Sequence, residues 1–150
     1  MIKIRQGTPA DTPTLTDIAF RAKAHWGYDD KFMEACREEL TYGEDDFPAT
    51  YFGVCEDPII LGFYALQIET KDSVELNALF VEPDYIGKGY GKALMNHAKI
   101  QAKVFGATEI IVQSDPFAED FYLAMGGTRI GEKESDSIPE RFLPLLRFEL

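Results

Sequence analysis

Cysteine is scarce in this chain of 150 residues: Cys36 and Cys55 are the two present, and neither sits in a spaced motif. No disulfide framework is expected, and a reducing cytoplasm is the default location. Both thiols are expected to act as small buried hydrophobes. Histidine is equally sparse. His25 and His97 lie far apart and share no ligand spacing with either cysteine, so no metal site is expected. Positive charge is short too: 15 Lys and Arg face 26 Asp and Glu, for a net charge of -11 and a pI ≈ 4.6. That balance argues against nucleic acid as a partner and suits a cationic or amine substrate. No apolar run approaches the roughly 20 residues of a membrane span, so no membrane partner is expected. Met1 to Arg5 is too short and too polar for a secretory signal. Repeats, low-complexity runs and linkers are absent, and the length suits a single domain over 1–150.

One stretch stands out against this background, Val74 to Phe105. Val74 to Val81 is apolar and β-branched enough for a buried strand. Glu82-Pro83-Asp84 punctuates it, three glycines follow at alternate positions, and a helix begins near Tyr90. The helical spacing of Ala93, Leu94, Ala98, Ile100 or Gln101, Val104 and Phe105 predicts the buried stripe, with Gly106 as the stop. A strand, a Gly-rich turn and a helix start together make an anion site. The first helical N–H groups lack internal partners and carry the positive end of the helix dipole. Gly87, Gly89 and Gly91 permit close approach of a phosphate. From Ile86 through Ala107 there is no Asp or Glu, while Lys88, Lys92, Lys99 and Lys103 are present, a local reversal of sign.

The dinucleotide fingerprint fails here, since the third glycine position is filled by Lys92 or Leu94. The Walker pattern fails at Ile86 and at Ala93. Around the stretch, the sequence predicts the order β, α, α, β, β, β, α, β, α, β, β. The first helix carries Leu15, Ile18, Ala19 and Ala22, with Asp11 or Thr12 as its cap. A second helix is expected from Asp29 or Asp30 to about Leu40. Strands are expected at Ile2 to Gln6, Thr50 to Cys55, Ile59 to Glu69, Thr108 to Gln113, Thr128 to Lys133 and near Leu145 to Leu150.

Two blocks within this order carry a resemblance. Ile86-Gly87-Lys88-Gly89-Tyr90-Gly91 resembles the acetyl-CoA motif of the GCN5-related N-acetyltransferases, the GNAT family, with Ile86 where Gln or Arg is usual. Ala118-Glu119-Asp120-Phe121-Tyr122, followed by Gly126, resembles the family's later block. There Asp115 stands in the place of the usual Asn and Gly127 in that of the usual aromatic. The resemblance covers roughly Thr50 to the C-terminus. It implies an α/β fold: a mixed, mostly antiparallel sheet of about six to seven strands, flanked by about four helices and splayed at the central strand.

The resemblance also implies an enzyme that moves the acetyl group of acetyl-CoA to a primary amine by direct attack. Residues implied to hold the co-substrate are Leu79, Phe80 and Val81 on the central strand, and Ile86, Gly87, Lys88, Gly89, Tyr90, Gly91 and Lys92 in the turn. Asp115, Ala118 and Tyr122 complete that set. Tyr122 stands where the family's tyrosine protonates the leaving thiolate; the alternative is a packing tyrosine. Glu75 resembles the base of the histone-modifying members by its spacing to Gly89; the alternative is a solvated strand-end carboxylate. Asn77 shares its strand face by alternation. His25, Trp26 and Tyr28 lie where the family builds its acceptor wall, and cation–π contact with an amine competes there with core packing. The acceptor, a small molecule or a peptide, is open, as is the acyl chain. A CoA-binding sensor or scaffold is the alternative class. Homodimers are frequent in the family, and the oligomeric state is open.

Overall fold

The computed structural model describes residues 2–150. Among them the chain forms β1 (Ile4–Gln6), α1 (Thr12–Ala24), α2 (Asp30–Ala35), β2 (Thr50–Glu56), β3 (Ile60–Ile68), β4 (Ser73–Val81), α3 (Tyr90–Val104), β5 (Glu109–Gln113), α4 (Glu119–Ala124), β6 (Thr128–Glu134) and β7 (Phe142–Glu149). The element order agrees with the sequence reading throughout. A seven-stranded sheet runs β1-β2-β3-β4-β5-β7-β6. Every neighbouring pair is antiparallel except β4 and β5. No helix among the described residues is long and apolar enough to cross a membrane.

Helices cover both faces, and each face has its own core. Leu15, Ile18 and Ala19 of α1 pack with Met33, Phe52, Phe63 and Ala78 on one side. Leu94, Met95, Ala98 and Ala102 of α3 pack with Tyr64, Leu66, Val74, Leu76 and Ile110 on the other. Cys36 and Cys55 fall in opposite cores and are free thiols. Burial pushes the Cys36 thiol up to about 11, so it stays protonated near neutral pH.

Three local expectations change. The stripe on α3 keeps Leu94 and Ala98 as expected, but Ile100, Val104 and Phe105 are exposed, the first two at 64% and 71%. The small Ala98 and Ala102 face the sheet because they let the helix axis come close, and Met95 joins them. The second helix stops at Ala35 rather than near Leu40. Glu38 and Glu39 would lie at its C-terminal end, where the helix dipole disfavours negative charge; turns carry the chain on and keep Leu40 buried. Asp11 is the residue before α1, yet its carboxylate does not cap that helix. It accepts from the Thr8 amide at 2.8 Å and from two Arg5 nitrogens at 2.8 and 2.9 Å. The Arg5 hydrogen bonds hold its carboxyl down at about 2.

Candidate active site

The site is a gap in the sheet. Parallel β4 and β5 pair only at Ser73↔Glu109, Val74↔Ile110 and Glu75↔Ile111. Beyond Glu75 the two strands separate, although β4 continues to Val81 and β5 to Gln113. A bulge starts the divergence. Opposite β3, the register steps from Leu66↔Leu76 to Ala65↔Ala78, so Asn77 is the extra residue. An extra residue bends its strand and sharpens the local twist. The edge of β4 that faces β5 therefore carries unpaired backbone groups beyond Leu76. Leu79, Phe80 and Val81 line one wall of the resulting cleft and Val112, Gln113 and Ser114 the other; the cleft holds about 870 Å³.

The Gly-rich turn closes one end of this cleft. Gly87 and Gly89 have φ of +83° and +90°, left-handed values that favour glycine. Nothing lies within 4 Å of where a Cβ would stand on either residue. Ala93 is the first paired amide of α3, bonding to the Gly89 carbonyl at 3.1 Å. The amides from Gly87 to Lys92 have no backbone partner among the described residues. Gly91 has less room: a Cβ there would touch the Phe121 ring at 3.4 Å and Val81 at 4.0 Å. The lysines separate likewise. Lys92 lines the cleft, Lys88 sits over the Tyr85 ring, and Lys99 binds the Met125 carbonyl at 2.6 Å, closing the end of α4.

Tyr122 reaches the cleft from the opposite wall. It is 6% exposed, with its ring edge-on to Phe121 and Phe148. Its hydroxyl has no partner among the described residues, and the residue lines the cleft together with Ala118. Burial, with the nearby Asp115 charge, pushes its pKa up, so the phenol keeps its proton. The missing aromatic after Gly126 is explained by space. A Cβ on Gly127 would stand 2.8 Å from the Phe148 ring, which already fills that place.

Glu75 and Asn77 line the cleft on the α1 side of the sheet, and Asn77 donates to Gln67 Oε1 at 2.7 Å. Glu75 is half-buried. Burial, with the Glu69 carboxyl as its neighbour, pushes its pKa up to about 7.

The aromatic group after α1 divides. Trp26 lines the cleft and stacks on Phe117 at 5.5 Å between ring centres. Tyr28 stacks on Phe32 at 3.9 Å, and its hydroxyl donates to Asp115 at 2.9 Å. His25 is exposed, edge-on to Trp26, and is not part of the cleft wall.

Asp115 is the centre of a cluster that sequence reasoning missed. Its carboxylate accepts from Lys23 at 3.1 Å, from Arg141 at 3.4 Å and from the Phe117 amide at 2.9 Å. Burial works to raise its pKa, but Lys23, the Phe117 amide and Tyr28 outweigh that and hold it low. A signal for Lys23 existed, since it lies four residues after Ala19 on the buried stripe of α1. Arg141 comes from a polar loop and gave none.

These features define an acyl-transfer architecture, and the comparisons agree. The chain belongs to the acetyltransferase (GNAT) family, whose model matches residues 14–126. It is 31% identical over 149 residues to the peptidyl-lysine N-acetyltransferase YjaB of Salmonella typhimurium, covering 97% of this chain and 96% of that protein. A GCN5-related N-acetyltransferase from Rhodopseudomonas palustris superposes with a TM-score of 0.82 at 17% identity, over 99% of this chain and 95% of the other. The PaiA N-acetyltransferase from Thermoplasma acidophilum, solved in complex with coenzyme A, gives 0.73 at 20% identity, over 100% and 99%. The expected mixed sheet, splayed at its central strand, is thus the fold of this family.

Proposed function

We propose that residues 1–150 act as one acetyl-CoA-dependent N-acetyltransferase domain that acetylates a primary amine in a ternary complex. The observation that carries this reading is the cleft itself. Its floor is an unpaired strand edge, its mouth is a row of free amides at a helix start, and a protonated tyrosine opens onto it. The free amides from Gly87 to Lys92 take the pyrophosphate of CoA. The open edge of β4 at Leu79 to Val81 takes the pantetheine arm and the thioester carbonyl. Acetyl-CoA supplies the activated acetyl group.

The residues of the chain then manage two protons. The amine nitrogen attacks the thioester carbonyl carbon; an N–C bond forms and the C–S bond breaks. Glu75 receives the proton lost by nitrogen, directly or through one water. Tyr122 gives its proton to the departing sulfur and is recharged from solvent. Trp26 and Asn77 border the acceptor. Glu38, Glu39, Asp45 and Asp46 line the same cleft, and their field favours a cationic amine. YjaB is named for a peptidyl-lysine acceptor, so lysine peptides belong beside polyamines and amino acids in the test panel. Free-thiol release from acetyl-CoA, above the amine-free blank, supports the reading; CoA binding with no release across the panel would replace it with a binding module.

Glu75 sets a pH signature. As a base it must be ionised, so the rate should rise as pH passes about 7. Glu75→Gln keeps the shape and removes basicity. Its rate should be depressed near neutral pH and recover toward the amine's own pKa of roughly 10, where solvent supplies free amine. A uniform loss at every pH would assign Glu75 to binding instead. Stability gives a second readout. A carboxyl raised in the fold binds its proton more tightly folded than unfolded, so its contribution falls as pH rises from the unfolded value through about 7. Glu75→Gln should therefore raise the melting temperature at pH 8 and leave it nearly unchanged at pH 4.

A further inference from the structure

The cluster around Asp115 does not balance. Lys23 and Arg141, with side chains only 10% and 18% exposed, share a single carboxylate. Tyr28, the fourth member, is neutral. One positive charge is thus held largely out of water, an arrangement that is costly without a counterion. Glu38, Glu39 and Asp136 line the same cleft, yet none lies within 4.0 Å of either cation.

Donor capacity tells the same story. A guanidinium has five N–H donors. Arg141 uses Nη2 for the Tyr28 hydroxyl at 2.7 Å and for Asp115 at 3.4 Å; Nε and Nη1 meet no acceptor among the described residues. The group is fixed in place, 4.9 Å from the Phe32 ring centre and 5.4 Å from that of Tyr28. Lys23 has one hydrogen bond, to Asp115, and leans on the same two rings. Asp115 has little capacity left, since the Phe117 amide, Tyr28, Lys23 and Arg141 already use it. Lys23, Arg141 and Asp115 all line the cleft, and Asp115 is close enough to Tyr122 for its charge to act there. The surplus charge therefore sits beside the reacting end.

We propose that Lys23 and Arg141 form a carboxylate-binding subsite in the cleft, filled by a carboxylate on the amine acceptor or at the far end of a dicarboxylic acyl chain. The inference rests on the transferase reading for what enters the cleft. With an acidic wall elsewhere in the same cleft, the pattern matches a zwitterion: ammonium toward the acids, carboxylate toward Lys23 and Arg141.

The test uses the full chain and two matched comparisons, both read by free-thiol release. One sets amino acids against their amides with acetyl-CoA. The other sets succinyl-CoA against acetyl-CoA with a carboxylate-free amine. The carboxylate-bearing member of one comparison should have the higher kcat/KM, by about tenfold or more, and that comparison names the source. Arg141→Gln should bring the ratio near one. Arg141→Lys preserves the cluster's charge should the Gln variant fail to fold, and should still cut the ratio by about threefold or more. An active enzyme with ratios near one in both comparisons overturns the subsite. If no pair releases thiol, the transferase reading fails instead, and calorimetry of the CoA-saturated chain with glutarate against glutaramide decides. Glutarate binding that Arg141→Gln abolishes supports the subsite; heat that does not depend on the carboxylates sinks it.

Discussion

Replacing Tyr122 by Phe is expected to lower kcat by on the order of 10² or more, while the Kd for CoA changes little. The substitution is clean because the two roles of the residue are separable here. The ring packs against Phe121 and Phe148, and Phe keeps those contacts. The hydroxyl has no protein partner among the described residues, so removing it strands no buried donor or acceptor. Its raised pKa keeps the proton available at neutral pH. What Phe loses is a proton source facing the cleft. Steady-state kinetics with calorimetric CoA titration checks this, and a Phe variant turning over at the wild-type rate would show that the tyrosine only packs.

Gly89→Val is expected to weaken CoA binding by about 30-fold or more, with the fold retained. At φ +90° a non-glycine residue is strained by roughly 1–2 kcal/mol, and a β-branched one by more. The strain falls on the N-cap residue that precedes α3 and orients its free amides. The added side chain meets no protein atom, because the space around that Cβ is open, and it stands in the lining of the cleft where the pyrophosphate is proposed to bind. Gly91→Ala is the contrasting variant: it makes ordinary contacts with the Phe121 and Val81 side chains, and its effect should be several-fold smaller. Equal CoA affinity in wild type and Gly89→Val would remove the phosphate site from this turn.

The strand–turn–helix unit was legible in the sequence because glycine and proline fix backbone geometry locally. Gly87 and Gly89 indeed take left-handed values at a helix start. The helix face was less legible. The expected stripe on α3 joined Leu94 and Ala98, which are buried, to Ile100, Val104 and Phe105, which are exposed. Packing turned the face toward Met95 and Ala102 instead, since Ala98 and Ala102 allow the closer approach. Register was not legible either: the bulge at Asn77 depends on how β3 and β4 meet, which no residue in β4 announces alone. Least legible was the ion cluster. Lys23 and Asp115 are 92 positions apart and Asp115 and Arg141 are 26 apart, so only the closed fold brings them together.

The unfinished edge of β4 has a consequence for solvent exchange and for solubility. A strand that stops pairing halfway ordinarily invites a foreign strand to complete it. Here the unpaired stretch lies in the middle of the sheet, recessed between two walls, where a narrow ligand fits more readily than another protein's edge. Its main-chain amides should trade hydrogen for deuterium quickly in the free protein, although they belong to the central strand. Saturating CoA should slow that exchange at Leu79 and Val81, whose amides point away from β3, while leaving Val74 and Leu76 as slow as before, because those residues already sit in finished sheet. The ligand would thus act as a temporary eighth strand, supplying in the bound state the hydrogen bonds that β5 withholds.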